Sequence, residues 1–375
     1  MAGWTSLDDF INETTVNGKF YRSDWNKLTH PVGVQAAGEW NCLFHSAGNP
    51  TNGILNGGTN RTFQTLTEFS TGAIRTGGLQ SGDVKSILNA SAFSASATTM
   101  PSVFMLVDLL GYYPMSTVTT TGDQATVQAA AFTADAPTDV ITYAAYDIAT
   151  YSRVRLTTTG TLPAGLATGT DYWTVRTAAT TSQLSSSLAN AVAGTVIDIT
   201  DAGTGTHTIT VGLPRYTDGA GVQCFITANT VLGAATPNMR ITYTDQGGTA
   251  GNITPATLPI GKTAAIVGMI PYSGTGSGKY GPFMPLAAGD YGVRSLEQLN
   301  LSASYVSGTL AYCLARPLLT MPMTTVGVAA ERDLLNQLPS LPRVYDGACL
   351  AWLMYAGAAT PVNSSFAGHL DFGWG

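Results

Sequence analysis

The sequence predicts a mainly β protein: a jelly-roll or β-sandwich-like body with few short helices, an extended N-terminal arm and an inserted small β domain. Three observations predict it. Short apolar runs bounded by Gly, Pro, Asn and Asp recur along the chain, as many-stranded sandwiches and barrels require. Helical spacing is confined to a few short stretches. Between about Gln124 and Val211 threonine becomes very frequent and strand-like segments alternate with turns, a change of texture inside the chain.

The elements follow in order. Ser6 is placed to cap a first short helix, with Asp9 three residues on and Phe10-Ile11 behind it, close to a capping box. Trp4, Phe10, Tyr21 and Trp25 load this N-terminal stretch with aromatics, and they are the candidate contact residues of the arm. A second helix is expected after Ser81, where Asp83, Val84, Lys85, Ile87 and Leu88 have helical spacing. A third is expected over Glu331–Gln337, stopped by Pro339. Strands are expected over Val103–Leu110, Val222–Thr227, Met239–Tyr243, Ala264–Ile270, Leu299–Tyr305 and Thr309–Ala315.

The threonine-rich segment reads as an insert because Leu109-Leu110-Gly111-Tyr112-Tyr113-Pro114 before it and Leu213-Pro214-Arg215-Tyr216 after it share one aromatic, proline-punctuated style. The expected division is a discontinuous body, 1–123 and 212–375, with a surface-exposed β domain at 124–211; surface loops tolerate such insertions. One internal echo is specific. Leu213-Pro214-Arg215-Tyr216-Thr217-Asp218-Gly219-Ala220 returns as Leu341-Pro342-Arg343-Val344-Tyr345-Asp346-Gly347-Ala348, identical at six of eight positions. Pro fixes φ and Asp-Gly permits a tight reversal, so each copy reads as a turn feeding a buried strand. Arg215 and Arg343, with Asp218 and Asp346, are candidate contact or turn-fixing residues; each Arg has its neighbouring Asp or another chain as an available partner.

Composition narrows the function. Charged residues make up 11% of the chain, well below the usual ~25%, and surfaces depleted of Lys, Glu and Asp suit permanent interfaces, although a polar Thr/Ser surface has the same composition. A net charge of -6 without a Lys/Arg cluster argues against nucleic acid as a partner. The start Met1-Ala2-Gly3-Trp4 lacks a secretory pattern and no apolar run approaches ~20 residues, so no membrane partner is expected and the protein is expected to be made in a cytoplasm. Cys42, Cys224, Cys313 and Cys349 read as buried free thiols.

No catalytic motif in the sequence is complete. Gly274-Thr275-Gly276-Ser277-Gly278-Lys279-Tyr280 has one residue too few for a phosphate loop, lacks the Ser/Thr after Lys, and runs into Gly281-Pro282, which stops any helix. His30, His45, His207 and His369 show no metal-ligand spacing and there is no Cys-x-x-Cys pair, so neither metal nor other cofactor is expected. Cys42 and His45 are a local Cys/His coincidence. Asp108, Asp290, Glu297 and Asp346 form no recognisable carboxylate pair, so no catalytic residue is assigned, and each is expected to be a turn residue, a cap or a partner for Arg215, Arg294 or Arg343.

The insert carries a resemblance. Thr157-Thr158-Thr159-Gly160-Thr161-Leu162-Pro163-Ala164-Gly165-Leu166-Ala167-Thr168-Gly169-Thr170-Asp171-Tyr172-Trp173, Thr180–Ser185 and Asp201–Thr208 resemble the small β module that recurs in virion proteins of tailed bacteriophages. Leu213–Phe225, Leu286–Ser295 and Leu338–Ala348 are similar to head-associated proteins of the cement or decoration kind, and no segment could supply the long spine helix of the usual major capsid protein. The resemblance implies a non-enzymatic decoration protein on the capsid exterior. Its implied partners are the phage major capsid protein and further copies of itself, as a homotrimer. The alternatives are a tail or adsorption component, with Tyr172 and Trp173 as possible glycan contacts, and the major capsid protein itself.

Overall fold

In the computed structural model the described residues are 3–29, 33–55, 61–80, 82–96, 102–116, 121–144, 146–255, 258–259, 265–272, 281–337 and 341–375. Strands dominate, and the α-helices among these residues are short: Leu7–Ile11, Leu188–Ala193 and Leu334–Gln337. The mainly β class read from the sequence is the observed one.

Three antiparallel sheets and a closed barrel make up the molecule. The first sheet runs Ala330–Asp333, Lys85–Ser94, Ser365–Trp374, Phe20–Leu28, Gly48–Asn49, with Arg343–Val344 also paired to Lys85–Ser94. The second runs Gln223–Ala228, Thr309–Met323, Ser102–Ser116, Leu350–Ala356, Trp40–Cys42. A third, smaller sheet has Asn238–Asp245 and Val293–Leu301 at its centre and takes Gly122–Ala125 at one edge.

The second sheet is the middle layer, and strand alternation explains how. In Leu350–Ala356, Leu350, Trp352 and Met354 belong to the core shared with the first sheet, while Ala351 and Leu353 belong to the larger core on the opposite side. Phe104 and Leu106 face the first core in the same way, and Val107 and Leu109 the second. A strand covered on both faces has no polar alternation, which is why Leu350–Ala356 is apolar throughout. Trp25, Phe104, Trp352 and Phe366 knit the first core with ring centroids 5.3–6.0 Å apart.

The barrel is built entirely from residues 129–211, closing in the order Arg153–Thr158, Asp171–Ala178, Thr181–Ser185, Val140–Tyr143, Ala129–Asp135, His207–Val211. It is anchored to the rest of the molecule by hydrogen bonds: Tyr146 Oη donates to Phe63 O at 2.8 Å, Gln64 Nε2 to Asp147 O at 3.0 Å, and Arg153 to Leu213 O at 3.3 Å. Its interior is continuous with the larger core. Residues 124 and 125 lie in the third sheet, on Val293–Leu301.

Several local expectations need correction. The stretch after Ser81 is the strand Lys85–Ser94, not a helix: Ile87, Ala90 and Ala92 are buried against Ser365–Trp374, and that pairing outweighs a helical pattern only a few residues long. Glu331–Asp333 extends the same sheet, so helix forms only from Leu334. Residues 265–270 contribute a single bridge, Met269 to Asn41, and the strand expected at Leu299–Tyr305 is Val293–Leu301, ending before Tyr305. The N-terminal residues fold onto the body. Ser6 Oγ accepts from Asp9 N at 3.0 Å, as a cap should, and Asp9 reaches back to Thr5 N at 2.8 Å. Phe20–Leu28 then pairs along its whole length with Ser365–Trp374.

Candidate functional site: a cleft between the repeated loops

The echoed segments meet in space. Leu213–Ala220 feeds Gln223–Ala228, and Leu341–Ala348 feeds Leu350–Ala356. These strands flank the central antiparallel pair, Thr309–Met323 and Ser102–Ser116, from opposite sides. The two loops therefore emerge at one place and line a cleft of about 830 Å³, where the rings of Tyr216 and Tyr345 stand edge to face at 4.9 Å. Gly219 and Gly347 both have positive φ, 76° and 75°, the conformation the Asp-Gly reversal demands. Asp218 accepts from Ala220 N at 3.1 Å; Asp346 accepts from Gln80 N with both oxygens and pairs with Lys85 at 3.7 Å.

The two arginines of the echo have opposite fates, and the sheet register explains it. Asp108 and Arg316 stand directly opposite each other in the central pair. Leu350 pairs with Asp108, and Gln223 pairs with Ala315, one residue from Arg316, so exchanging the two halves of the sheet exchanges Asp108 with Arg316. Arg215 reaches Asp108 and forms a two-pronged bond at 2.8 and 2.7 Å, both side chains almost fully buried, with Leu66 O and Leu109 O taking further N–H groups. Burial works against the Arg215 charge, and the Asp108 carboxylate outweighs it, raising the guanidinium above its ordinary value. Cys349 N adds a third donor to Asp108 at 3.0 Å. The matching position for Arg343 holds a cation instead. Arg343 stays exposed, over the Tyr345 ring at 4.3 Å. Arg316 lies 5.5 Å from the Tyr216 ring centroid and donates to Ala220 O at 2.6 Å, in space left open by Gly221, where a Cβ would stand 1.3 Å from the guanidinium.

The barrel supplies the facing wall with Trp173 and Leu188. Leu188 opens the helix capped by Ser187 and touches down on Gly347, where a Cβ would approach its Cδ2 to 2.6 Å. Strand alternation separates the two suggested glycan contacts. Tyr172 points into the barrel, buried, its hydroxyl accepting from Ala167 N at 2.8 Å, so it cannot stack on a ligand; Trp173 points out into the cleft.

Compared with known proteins, the chain matches no family model, no curated protein and no solved structure.

The other sequence candidates lie elsewhere. Trp25 is a core residue, 2% exposed, and not a contact residue of an arm; Tyr21 stacks on Phe372. Trp4 and Phe10 pack edge to face at 5.0 Å, and Trp4 lies over Gly375. Arg215 pairs with Asp108 rather than with its neighbour Asp218. Desolvation pushes the Cys42 thiol up to about 12 and His45 down to about 4, so both are neutral near pH 7 and the pair holds no thiolate. Cys224, Cys313 and Cys349 are buried, free and shifted upward by the same cause. Asp290 accepts from Tyr243 Oη at 2.6 Å and Glu297 from Thr244 Oγ1 at 2.8 Å, both tied to structural partners. His207 and His369 bond Thr158 and Ser91. His30 and the Gly274–Tyr280 segment lie outside the described residues. Among the described residues no cluster of His, Cys, Asp and Glu could hold a metal ion, and no helix is long and apolar enough to cross a membrane. Sequence reasoning found the echo but not Arg316, whose role depends on a strand register.

Proposed function

We propose that the chain is a non-enzymatic structural protein of a tailed-phage particle, seated on the outside of the head and bridging neighbouring shell subunits, with copies of itself as a trimer. The observation that carries this reading is an apolar ridge at the N-terminus. Leu7, Ile11, Val16 and Phe20 are all exposed, Val16 by 75%, at spacings of four and five residues along the helical segment 7–16 and into the first strand. The segment is tied to the body: Lys19 pairs with Glu13 and Asp83, and Trp4 packs on Phe10 and lies against Gly373 and Gly375 at the C-terminal end. A preformed apolar surface on a chain with so few charges suits a permanent contact repeated by particle symmetry. The resemblance of the 157–208 segment to phage virion modules supports the same particle.

The test is co-sedimentation of the purified protein with expanded, undecorated capsids and, separately, with host cells. Saturable pelleting with capsids, lost in a Leu7→Glu/Ile11→Glu variant that unfolds at the same urea concentration as the parent, is the expected result. Pelleting with cells alone would move the function to adsorption.

A further inference from the structure

The cleft between the repeated loops has chemistry that the apolar ridge does not use. Among the described residues neither Arg316 nor Arg343 takes part in an ion pair, although the protein as a whole is acidic. Each guanidinium is steadied by a tyrosine ring instead of a carboxylate, which leaves its outer N–H groups without a charged partner. Trp173 faces them from the barrel and, among the described residues, makes no ring contact of its own. Asp218 uses one oxygen within its turn and has the other to offer hydroxyl groups. The opening, about 830 Å³, falls in the range of small-ligand sites.

We infer that this cleft binds an acidic saccharide. A sugar presents a C–H face that packs on an indole, hydroxyls that donate to a carboxylate, and, when it is a uronic or similar acid, a carboxylate that a guanidinium fork holds through two parallel bonds. Trp173 takes the ring face, Asp218 the hydroxyls, and Arg343 with Arg316 the acid group. A peptide with acidic side chains would satisfy the arginines but has no ring that offers both an aliphatic C–H face to Trp173 and several hydroxyls to Asp218. The echo is thereby put to two uses: one copy, with Arg215 neutralised by Asp108, is structural, and the other, with Arg343 left uncompensated, is the binding half. The inference is independent of where the protein sits on a particle.

Isothermal titration of the full-length protein with trigalacturonate tests it, with maltotriose as the uncharged control and triglutamate as the acid without a sugar ring. The expected result is saturable binding of trigalacturonate, weaker at high salt, and little binding of either control. Arg343→Gln should weaken it about tenfold or more, the scale of one charge-assisted hydrogen bond, and Trp173→Ala should do likewise. Arg343 is exposed, so its substitution leaves the fold in place, and a urea midpoint lowered by no more than the loss of one exposed ring contact checks this. Absence of saturable trigalacturonate binding, equal binding of triglutamate or maltotriose, or binding that survives both substitutions would overturn the inference. None of these results bears on capsid co-sedimentation, so the two readings fail separately.

Discussion

Asp108→Asn keeps the size of a side chain that is 1% exposed and removes the only carboxylate bonded to Arg215 among the described residues. With its oxygen at the Oδ1 position the amide still accepts from Cys349 N and Arg215 Nη2, and Leu66 O and Leu109 O remain as acceptors, but the amide nitrogen then faces Arg215 Nε donor to donor, so the variant removes the charge together with one hydrogen bond. Leaving one member of a buried pair uncompensated costs about 3–5 kcal/mol, because the remaining ion stays desolvated. Arg215→Met should cost a similar amount from the other side. The double variant buries no charge in this place, so its loss should fall short of the sum of the single losses by about 2 kcal/mol or more. At the echoed position, Arg343→Met forfeits only a solvent-exposed contact with the Tyr345 ring, worth about 0.5–1 kcal/mol. Urea unfolding, monitored by tryptophan fluorescence with the slope compared between variants, measures all four. Equal midpoint shifts for Arg215→Met and Arg343→Met, or additive losses in the double variant, would refute the argument that register assigns the two arginines different work.

Three further outcomes follow from the same geometry. Burial holds His45 at about 4 in the fold against an ordinary 6.5, so its contribution is complete above pH 6.5 and is lost as pH falls towards 4; at most about 3 kcal/mol of stability should disappear over that window, and His45→Gln should flatten it in urea midpoints taken across the range. Gly347→Ala should cost about 1–3 kcal/mol, since the new Cβ meets Leu188 and the φ of 75° disfavours any side chain; adding Leu188→Ala should recover the steric part but not the backbone part. All four thiols are 0–1% exposed, so their reaction with a thiol reagent should follow opening of the fold and accelerate with urea, and a thiol that reacts at once in native buffer would contradict the core described here.

Local signals were legible where one residue type settles the matter. Ser6 with Asp9 announced the first cap, and turn residues framed Val103–Leu110, Val222–Thr227 and Thr309–Ala315, although two of these strands run well past the expected end. Threonine-rich alternation marked the barrel strands. Strands with two buried faces give no period to read, so Leu350–Ala356 was legible only as the buried strand that the second echo feeds, without bounds, and Val84, Ile87 and Leu88 fit helical spacing although Lys85–Ser94 is a strand. The N-terminal aromatics were visible as a group, but which of them face inward was not: Trp25 is interior because its strand pairs with residues near the C-terminus.

The cleft shows where sequence reading stops and why. Two near-identical octapeptides predict near-identical environments, and for the backbone they deliver them: each makes the same Asp-Gly turn, with the glycine at almost the same φ, and each enters the middle sheet through a strand that flanks the central pair. What differs is supplied by residues far off in the chain. Arg215 meets a carboxylate 107 positions before it, and the site that would serve Arg343 is filled by Arg316. Neither partner belongs to the repeat, and neither can be assigned before the pairing of Ser102–Ser116 with Thr309–Met323 is known to the residue. Because that pairing contains register shifts between Leu314 and Ala315 and between Pro317 and Leu319, counting from the strand ends would not place Asp108 opposite Arg316 either. A repeated motif in a sheet protein therefore specifies a turn, and the strand it abuts decides whether its arginine is buried as structure or left free for a ligand.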